Sequence, residues 1–326
     1  MKKHVENFPA QLKEALDIAA QAQLTCYTGI QHVLISGLGG SGIGGTVISE
    51  LVAKECKVPV MVNKDYFIPG FVNENTLVII SSYSGNTEET LSAINDAIVK
   101  KAKIVCITSG GKIAALAQQH NFDVIKVPGG NPPRSCLGYS LVQLFRVLSN
   151  NKLIQVDYVH QLNKAIRLLT EQEAAIKTEA DQVARRLSGK ITVIYSLGST
   201  EGIAIRFRQQ INENSKMLCW HHVIPEMNHN ELVGWTTRNE NLAVVVLRTS
   251  ADYERNIQRL EICKNIFEKY SSSLTEIHAK GDSSIEQAIY LVHLTDWVSC
   301  YIADIKQIDP VEVKIIDHLK AELAKA

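Results

Sequence analysis

No stretch of this 326-residue chain approaches the roughly 20 consecutive apolar residues that cross a bilayer, so no membrane is expected as a partner. The opening residues Met1-Lys2-Lys3-His4-Val5-Glu6 hold no apolar core of the secretory kind, and export is not expected either. Charge of one sign is also missing. Against 34 Lys and Arg stand 34 Asp and Glu, a balance that gives no long-range attraction to nucleic acid. The cysteines Cys26, Cys56, Cys106, Cys136, Cys219, Cys263 and Cys300 contain no Cys-x-x-Cys pair. An odd, dispersed set on mostly apolar segments reads as reduced core thiols in a cytoplasmic protein.

What is present is apolar content, 45% of residues, in a chain longer than one core usually serves, so two domains are expected. After a helical stripe at Leu12, Leu16 and Ala19-Ala20, short apolar runs alternate with helical patterns. Strands are predicted at His32–Ser36, Val58–Val62, Leu77–Ile80, Lys103–Thr108 and Phe122–Val127, with helices over Thr46–Ala53, Ile113–Gln119 and Gly138–Leu148. Buried strands alternating with helices argue for a parallel sheet covered on both faces. The charged helical pattern from Asp157 to Leu187 reads as a connector. Beyond it the outline repeats: Lys190–Gly202 echoes Val33–Gly44, and Leu242–Ser250 echoes Leu77–Ser84. The expectation is two similar α/β domains, 1–152 and 153–326, each a parallel sheet flanked by helices.

In such sheets ligands gather at the carboxyl ends of strands. Two turns fall there. Ser81-Ser82-Tyr83-Ser84-Gly85-Asn86-Thr87-Glu88-Glu89-Thr90 separates the third strand from the helical pattern Leu91–Ile98. Ser82, Ser84 and Thr87 offer hydroxyl donors beside unpaired amides and the positive end of a helix dipole, a setting suited to phosphate. The turn holds no Lys or Arg, so neutral donors must do most of the work; the dipole contributes roughly 0.3–2 kcal/mol. An ordinary helix cap needs only one such hydroxyl. The second half lacks this run of hydroxyls, so the phosphate site is expected in the first domain alone. The other turn, Gly37-Leu38-Gly39-Gly40-Ser41-Gly42, satisfies the dinucleotide pattern G-x-G-x-x-G. The acid that should end the following strand is Asn63, however, so the glycines read as permitting close backbone approach to a small ligand.

Other motifs carry less. Gly110-Gly111-Lys112-Ile113 resembles the end of a nucleotide loop, with Ile113 where magnesium needs Ser or Thr. His221, His222 and His229 suggest a metal, but no Cys or carboxylate completes a usual zinc spacing; no metal or other cofactor is expected. Among acids of the second half, Glu201 and Glu213 stand equal by spacing. Pro225–Leu232 reads as a loop leading into another helix.

Taken together, Gly39-Gly40-Ser41-Gly42, Ser82-Tyr83-Ser84-Gly85-Asn86-Thr87-Glu88-Glu89-Thr90, Pro133-Arg134 with Gly138-Tyr139, Asn212-Glu213-Asn214, Asn228-His229-Asn230-Glu231, and Asp309-Pro310 with Leu319-Lys320 resemble the archaeal and bacterial bifunctional phosphoglucose/phosphomannose isomerases. That family belongs to the sugar isomerase (SIS) superfamily. The resemblance runs in family order over nearly the whole chain. It implies two SIS-type, flavodoxin-like domains and a reversible conversion of glucose 6-phosphate, and of mannose 6-phosphate, to fructose 6-phosphate. It further implies that Gly40, Ser41, Ser82, Ser84 and Thr87 hold the sugar phosphate. His229 opens the ring with help from Lys320 (Lys314 lies nearby), and Glu213 moves a proton between C2 and C1 through a cis-enediol(ate). Arg134 stands by the developing oxyanion. A homodimer is implied, with His229 supplied by the partner chain. One departure concerns Val311-Glu312-Val313, expected on the C-terminal helix two turns before Lys320, where some relatives carry a Thr linked to the mannose epimer; it favours the glucose over the mannose activity. The rival readings are a non-catalytic sugar-phosphate-binding SIS regulator and an isomerase of another phosphosugar.

Overall fold

The computed structural model describes residues 1–325. Two compact units divide it, one made of Glu6–Glu171 with Lys280–Tyr290, the other of Met1–Val5, Gln172–Ala279 and the C-terminal segment from Leu291.

In chain order α1 (Lys2–Glu6) and α2 (Phe8–Gln21) precede β1 (His32–Ser36), α3 (Gly39–Val52), β2 (Val60–Asn63), β3 (Thr76–Ser81), α4 (Glu88–Val99), β4 (Lys103–Thr108), α5 (Gly111–His120), β5 (Asp123–Lys126), α6 (Leu137–Asn150) and α7 (Tyr158–Glu171). The five strands form one sheet in the order β2-β1-β3-β4-β5, and every pairing is parallel. This is the flavodoxin-like order, in which the chain winds outward both ways from β1. Every residue of β3 is buried, as a central strand covered on both faces requires. One layer of the core joins Leu34, Val78, Ile80 and Ile104 to Ile94 of α4 and Ile113 of α5.

The second unit contains α8 (Glu173–Leu187), β6 (Ile191–Leu197), α9 (Glu201–Ser215), β7 (Cys219–Ile224), β8 (Asn239–Arg248), α10 (Glu254–Tyr270) and β9 (Ser271–His278). Its sheet runs β7-β6-β8-β9, again all parallel. Numbered within each unit, the first sheet reads 2-1-3-4-5 and the second 2-1-3-4, so the internal echo reflects a repeated fold. The helix α11 (Ser284–Ile305) is buried from Ile285 to Cys300; its first turns group with the first unit and the remainder with the second. The last helix, α12 (Lys314–Leu323), has no buried residue. Among the described residues no helix is long and apolar enough to cross a membrane.

Three expectations need correcting. The helix after β1 begins at Gly39, not Thr46, so the glycines lie inside it. Pro225–Leu232 leads into no helix: two short 3₁₀ turns, Glu226–His229 and Glu231–Gly234, hand the chain to β8, because the few residues from Val233 to Arg238 include Gly234 and the β-branched Val233, Thr236 and Thr237. Val311–Val313 precede α12 instead of lying within it.

Candidate active site

In a sheet of this order the crevice for a ligand opens at the carboxyl ends of β1 and β3, where the winding direction reverses. The glycine turn and the serine turn occupy those two positions. They are pressed together: a Cβ at Gly37 would lie 2.5 Å from the Ser81 carbonyl oxygen, and one at Gly42 would lie 2.4 Å from the Gly37 oxygen. Glycine costs a helix roughly 1 kcal/mol relative to Ala, and here close packing is what requires it. Asn63 ends β2 by donating to the Asp65 carbonyl at 2.9 Å.

The hydroxyls are arranged with a consistent polarity. Ser41 Oγ accepts from the Tyr83 amide at 3.3 Å, Ser84 Oγ accepts from the Asn86 amide at 3.3 Å, and Thr87 Oγ1 accepts from Ser82 Oγ at 3.3 Å. A hydroxyl that accepts internally keeps its own proton to donate elsewhere. Ser41, Ser84 and Thr87 therefore retain O–H donors for a ligand. Ser82 is buried beneath them and supports Thr87, while its amide is spent on the Ile107 carbonyl at 3.0 Å. Thr87 is the residue before the first turn of α4, and its side chain makes no cap.

Residues that the sequence did not single out hold this turn in place. The Tyr83 carbonyl accepts from Ser109 Oγ at 2.6 Å, and its phenol oxygen accepts from the Asn131 amide at 3.2 Å. Burial, with Cys136 adding to it, pushes the Tyr83 phenol up to about 12, so it stays protonated. Gly110-Gly111-Lys112, read as a nucleotide-loop tail, has a structural task instead. The Lys112 amide donates to Asn86 Oδ1 at 3.0 Å and the Ile113 amide to the Gly85 carbonyl at 2.9 Å.

Arg134 is buried in a 3₁₀ turn, Pro133–Ser135, that reaches the same place. A Cβ at Gly40 would stand 2.9 Å from the Pro133 oxygen and 3.5 Å from Arg134 Cα. Gln11 of α2 anchors this loop, donating to the Ser135 carbonyl at 2.8 Å and accepting from the Gly138 amide at 2.9 Å. A cavity of about 10 Å³ between Ser41, Tyr83, Pro133 and Tyr139 is close to what one water needs. The first unit thus brings together Gly40, Ser41, Ser82, Ser84, Thr87 and Arg134.

The other three candidates belong to the second unit. Glu213 is half-buried in the last turn of α9. The same helix is tied to α11 by buried polar contacts: Arg206 pairs with Asp296, Asn214 Nδ2 donates to Ser299 Oγ at 2.9 Å, and Ser215 Oγ donates to the Ser299 carbonyl at 2.8 Å. Lys216, which ends α9 in the left-handed region (φ 51°), donates to the Glu213 carbonyl and, at 2.7 Å, to that of Glu312. The segment leading into α12 is therefore fastened to the end of the Glu213 helix. Lys320 is exposed on α12, and His229 is exposed at the end of the 3₁₀ turn Glu226–His229.

Residues 28–136 match the SIS domain, and residues 176–323 match the bacterial phospho-glucose isomerase C-terminal SIS domain. A bifunctional phosphoglucose/phosphomannose isomerase of Caldicellulosiruptor bescii is 40% identical over 100% of this chain and 99% of its own length. This chain belongs to that isomerase family. The family's protein from Aquifex aeolicus is 38% identical over 99% of this chain and 98% of its own length. Among solved structures, the C-terminal domain of glucosamine-fructose-6-phosphate aminotransferase from Francisella tularensis superposes with a TM-score of 0.78 at 16% identity, covering 95% of this chain and 97% of that one. That likeness concerns the fold. The α/β architecture of two SIS units expected from the sequence is the one this isomerase-family chain has.

Proposed function

We propose that this chain is a cytoplasmic, homodimeric aldose–ketose isomerase that converts glucose 6-phosphate and mannose 6-phosphate reversibly to fructose 6-phosphate. The observation that carries the reading is the polarity of Ser41, Ser84 and Thr87. Three hydroxyls accept inside two glycine-tightened turns at a sheet's switch point, which leaves three O–H donors for one phosphate. Hydrogen bonds to a charged group contribute about 1.5–3 kcal/mol each.

Ring opening requires a proton on the ring oxygen and removal of the O1 proton, so that the C1–O5 bond breaks as the aldehyde forms. His229 and Lys320 supply that pair, and the exposure of His229 suits a side chain lent to the partner's site. Glu213 then takes the C2 proton. Electrons move into the C1–C2 bond and onto O1, where the fixed charge of Arg134 opposes the developing oxyanion. A proton passes from O2 to O1, and Glu213 returns its own to C1, leaving the ketone at C2. The enediol has no stereocentre at C2, so one intermediate serves both epimers, and Glu213 meets glucose or mannose on opposite faces of it. A positioned general base is worth about 10²–10⁴-fold.

Fructose 6-phosphate in deuterated water tests this directly. The wild-type enzyme should incorporate deuterium and form both aldoses. Glu213→Gln should lose turnover by about 10²–10⁴-fold with KM little changed; retained turnover would show that another base acts. Binding without exchange in the wild type would favour a sugar-phosphate-binding regulator. Mixing inactive Glu213→Gln and His229→Ala chains tests the shared site, since a mixed dimer with His229 in trans has one intact site. Recovered activity is expected, and none after full subunit exchange would place His229 in its own chain's site.

A further inference from the structure

Glu231 takes no part in the chemistry above, yet two aromatic side chains converge on it and a third supports one of them. The Tyr195 phenol, on β6, donates to Glu231 Oε1, and Trp220 Nε1 of β7 donates to the same oxygen at 3.3 Å. Trp235 Nε1 donates in turn to the Tyr195 oxygen at 3.1 Å. Tyr195 and Trp235 both pack on Phe267 of α10, with ring centroids 4.9 and 5.1 Å apart. Burial and the adjacent carboxylate hold the Tyr195 phenol far above its ordinary pKa, so it remains a donor at every working pH. Glu231 is only half-buried, and a carboxylate held by neutral donors within reach of water adds little to stability, because water competes for the same bonds. The position of Glu231 suggests another purpose.

His229 lies two residues earlier and is exposed, while its neighbours are held. Met227 is buried in the same aromatic core, and Asn228 Nδ2 contacts Cys263 Sγ at 3.2 Å. Asn230 donates to Glu226 Oε1 at 2.9 Å and accepts from the Glu231 amide at 2.6 Å. We propose that Glu231 is a positioning residue: by gripping Tyr195 and Trp220 it fixes the 3₁₀ turn that carries His229, so that only the torsions of the imidazole remain free. A side chain that must meet a ring oxygen from an exposed turn needs such a fixed base, since small misplacements cost large factors in rate. This inference rests on the reading that His229 opens the ring.

The experiment compares two substrates: fructose 6-phosphate, which must open, and 5-deoxyfructose 6-phosphate, which cannot close a furanose ring. Glu231→Leu and Tyr195→Phe should each slow turnover of fructose 6-phosphate roughly 5–50-fold, while solvent exchange at C1 of the acyclic ketose stays at the wild-type rate. Glu231→Gln keeps an oxygen able to accept both bonds and should recover most of the loss. Tyr195→Phe retains the ring stack, and a thermal melt close to wild type would confirm that it folds. Trp220 fluorescence should shift in Glu231→Leu. Equal loss on both substrates would reduce Glu231 to a structural role and overturn the proposal. So would wild-type turnover in Glu231→Leu and Tyr195→Phe when His229→Ala is inactive. If His229→Ala itself keeps full turnover of fructose 6-phosphate, the ring-opening assignment fails, and the proposal fails with it.

Discussion

Gly85 offers the sharpest test of the phosphate turn. Its φ is +67°, and a Cβ there would lie 1.8 Å from the Gly110 carbonyl oxygen and 2.8 Å from Thr108 Oγ1. Two costs follow for Gly85→Ala. The left-handed backbone costs an L-residue about 1–2 kcal/mol, and relief of an overpacked contact against backbone adds about 1–3 kcal/mol. The sum, about 2–5 kcal/mol, must be met by moving the serine turn away from the turn after β4, because Ile113 ties the two through the Gly85 carbonyl. That movement takes Ser84 and Thr87 with it. Loss of one charge-assisted bond, about 1.5–3 kcal/mol, predicts a KM for fructose 6-phosphate raised roughly 10–150-fold. Gly189→Ala is the control. Its φ is +76° with no atom within 4 Å of a Cβ, so it should lose about 1–2 kcal/mol of stability and leave KM unchanged. Steady-state kinetics and urea unfolding on the two variants separate the effects. If Gly85→Ala loses stability while KM stays at the wild-type value, the turn is a structural cap and phosphate binds elsewhere.

Three further predictions can be checked with ordinary equipment. Arg206 and Asp296 have side chains only 2% and 8% exposed, so Arg206→Met should destabilise the second unit by about 3–5 kcal/mol in urea, and adding Asp296→Leu should recover most of it. Burial, with Lys177 adding to it, lowers the His293 pKa from 6.5 to about 4. The unfolded chain therefore takes up this proton first as pH falls. The stability it contributes is complete above pH 6.5 and declines toward pH 4 by up to about 3 kcal/mol, and His293→Gln should flatten that slope of the urea midpoint. If Glu213 and His229 do the proton chemistry, a chelator should leave turnover unchanged; lost activity restored by a divalent ion would overturn that mechanism.

The first unit was legible because its strands announce themselves. β1, β3 and β4 are apolar, β-branched and buried on both faces, and their predicted limits lie within a residue of those found. Each of the two turns proposed to hold the phosphate follows such a strand. The second unit was harder to read at its edges. β9 is Ser271-Ser272-Ser273-Leu274-Thr275-Glu276-Ile277-His278, a polar edge strand with no apolar run, and edge strands carry charge because they must resist pairing with other chains. The Thr46 prediction failed for a different reason. Propensity keeps glycine out of helices, but close contact of Gly40 with Pro133 and of Gly44 with Ser140 required it there. Spacing could not separate Glu213 from Glu201 either. What sets Glu213 apart is a helix end tied to α11 through Ser299 and to Glu312 through Lys216, and those partners lie about 85 to 100 residues away in the chain.

The repeat of one fold raises the question of why only the first copy keeps a hydroxyl turn. In the second copy the turn after β8 corresponds to the serine turn, and there the protein supplies its own anion. The Asp252 carboxylate, 1% exposed, accepts from the Thr249 amide at 3.2 Å and from Thr249 Oγ1 at 2.8 Å. Those are a turn amide and a turn hydroxyl, the kinds of donor a phosphate would use. Arg248 pairs with the same carboxylate at 3.0 Å and with Glu276, and Lys264 reaches Glu276 at 2.7 Å. An internal anion paired with Arg248 thus occupies the amide and hydroxyl of Thr249. The first copy has neither a carboxylate folded into its serine turn nor a basic residue within it, so the hydroxyl protons of Ser84 and Thr87 remain unspent. A turn can hold its shape by satisfying its donors internally or hold a ligand by leaving them open. The two copies have resolved that choice in opposite ways: Asp252 takes up the donors of Thr249 in one turn, and the hydroxyls of Ser84 and Thr87 stay open in the other.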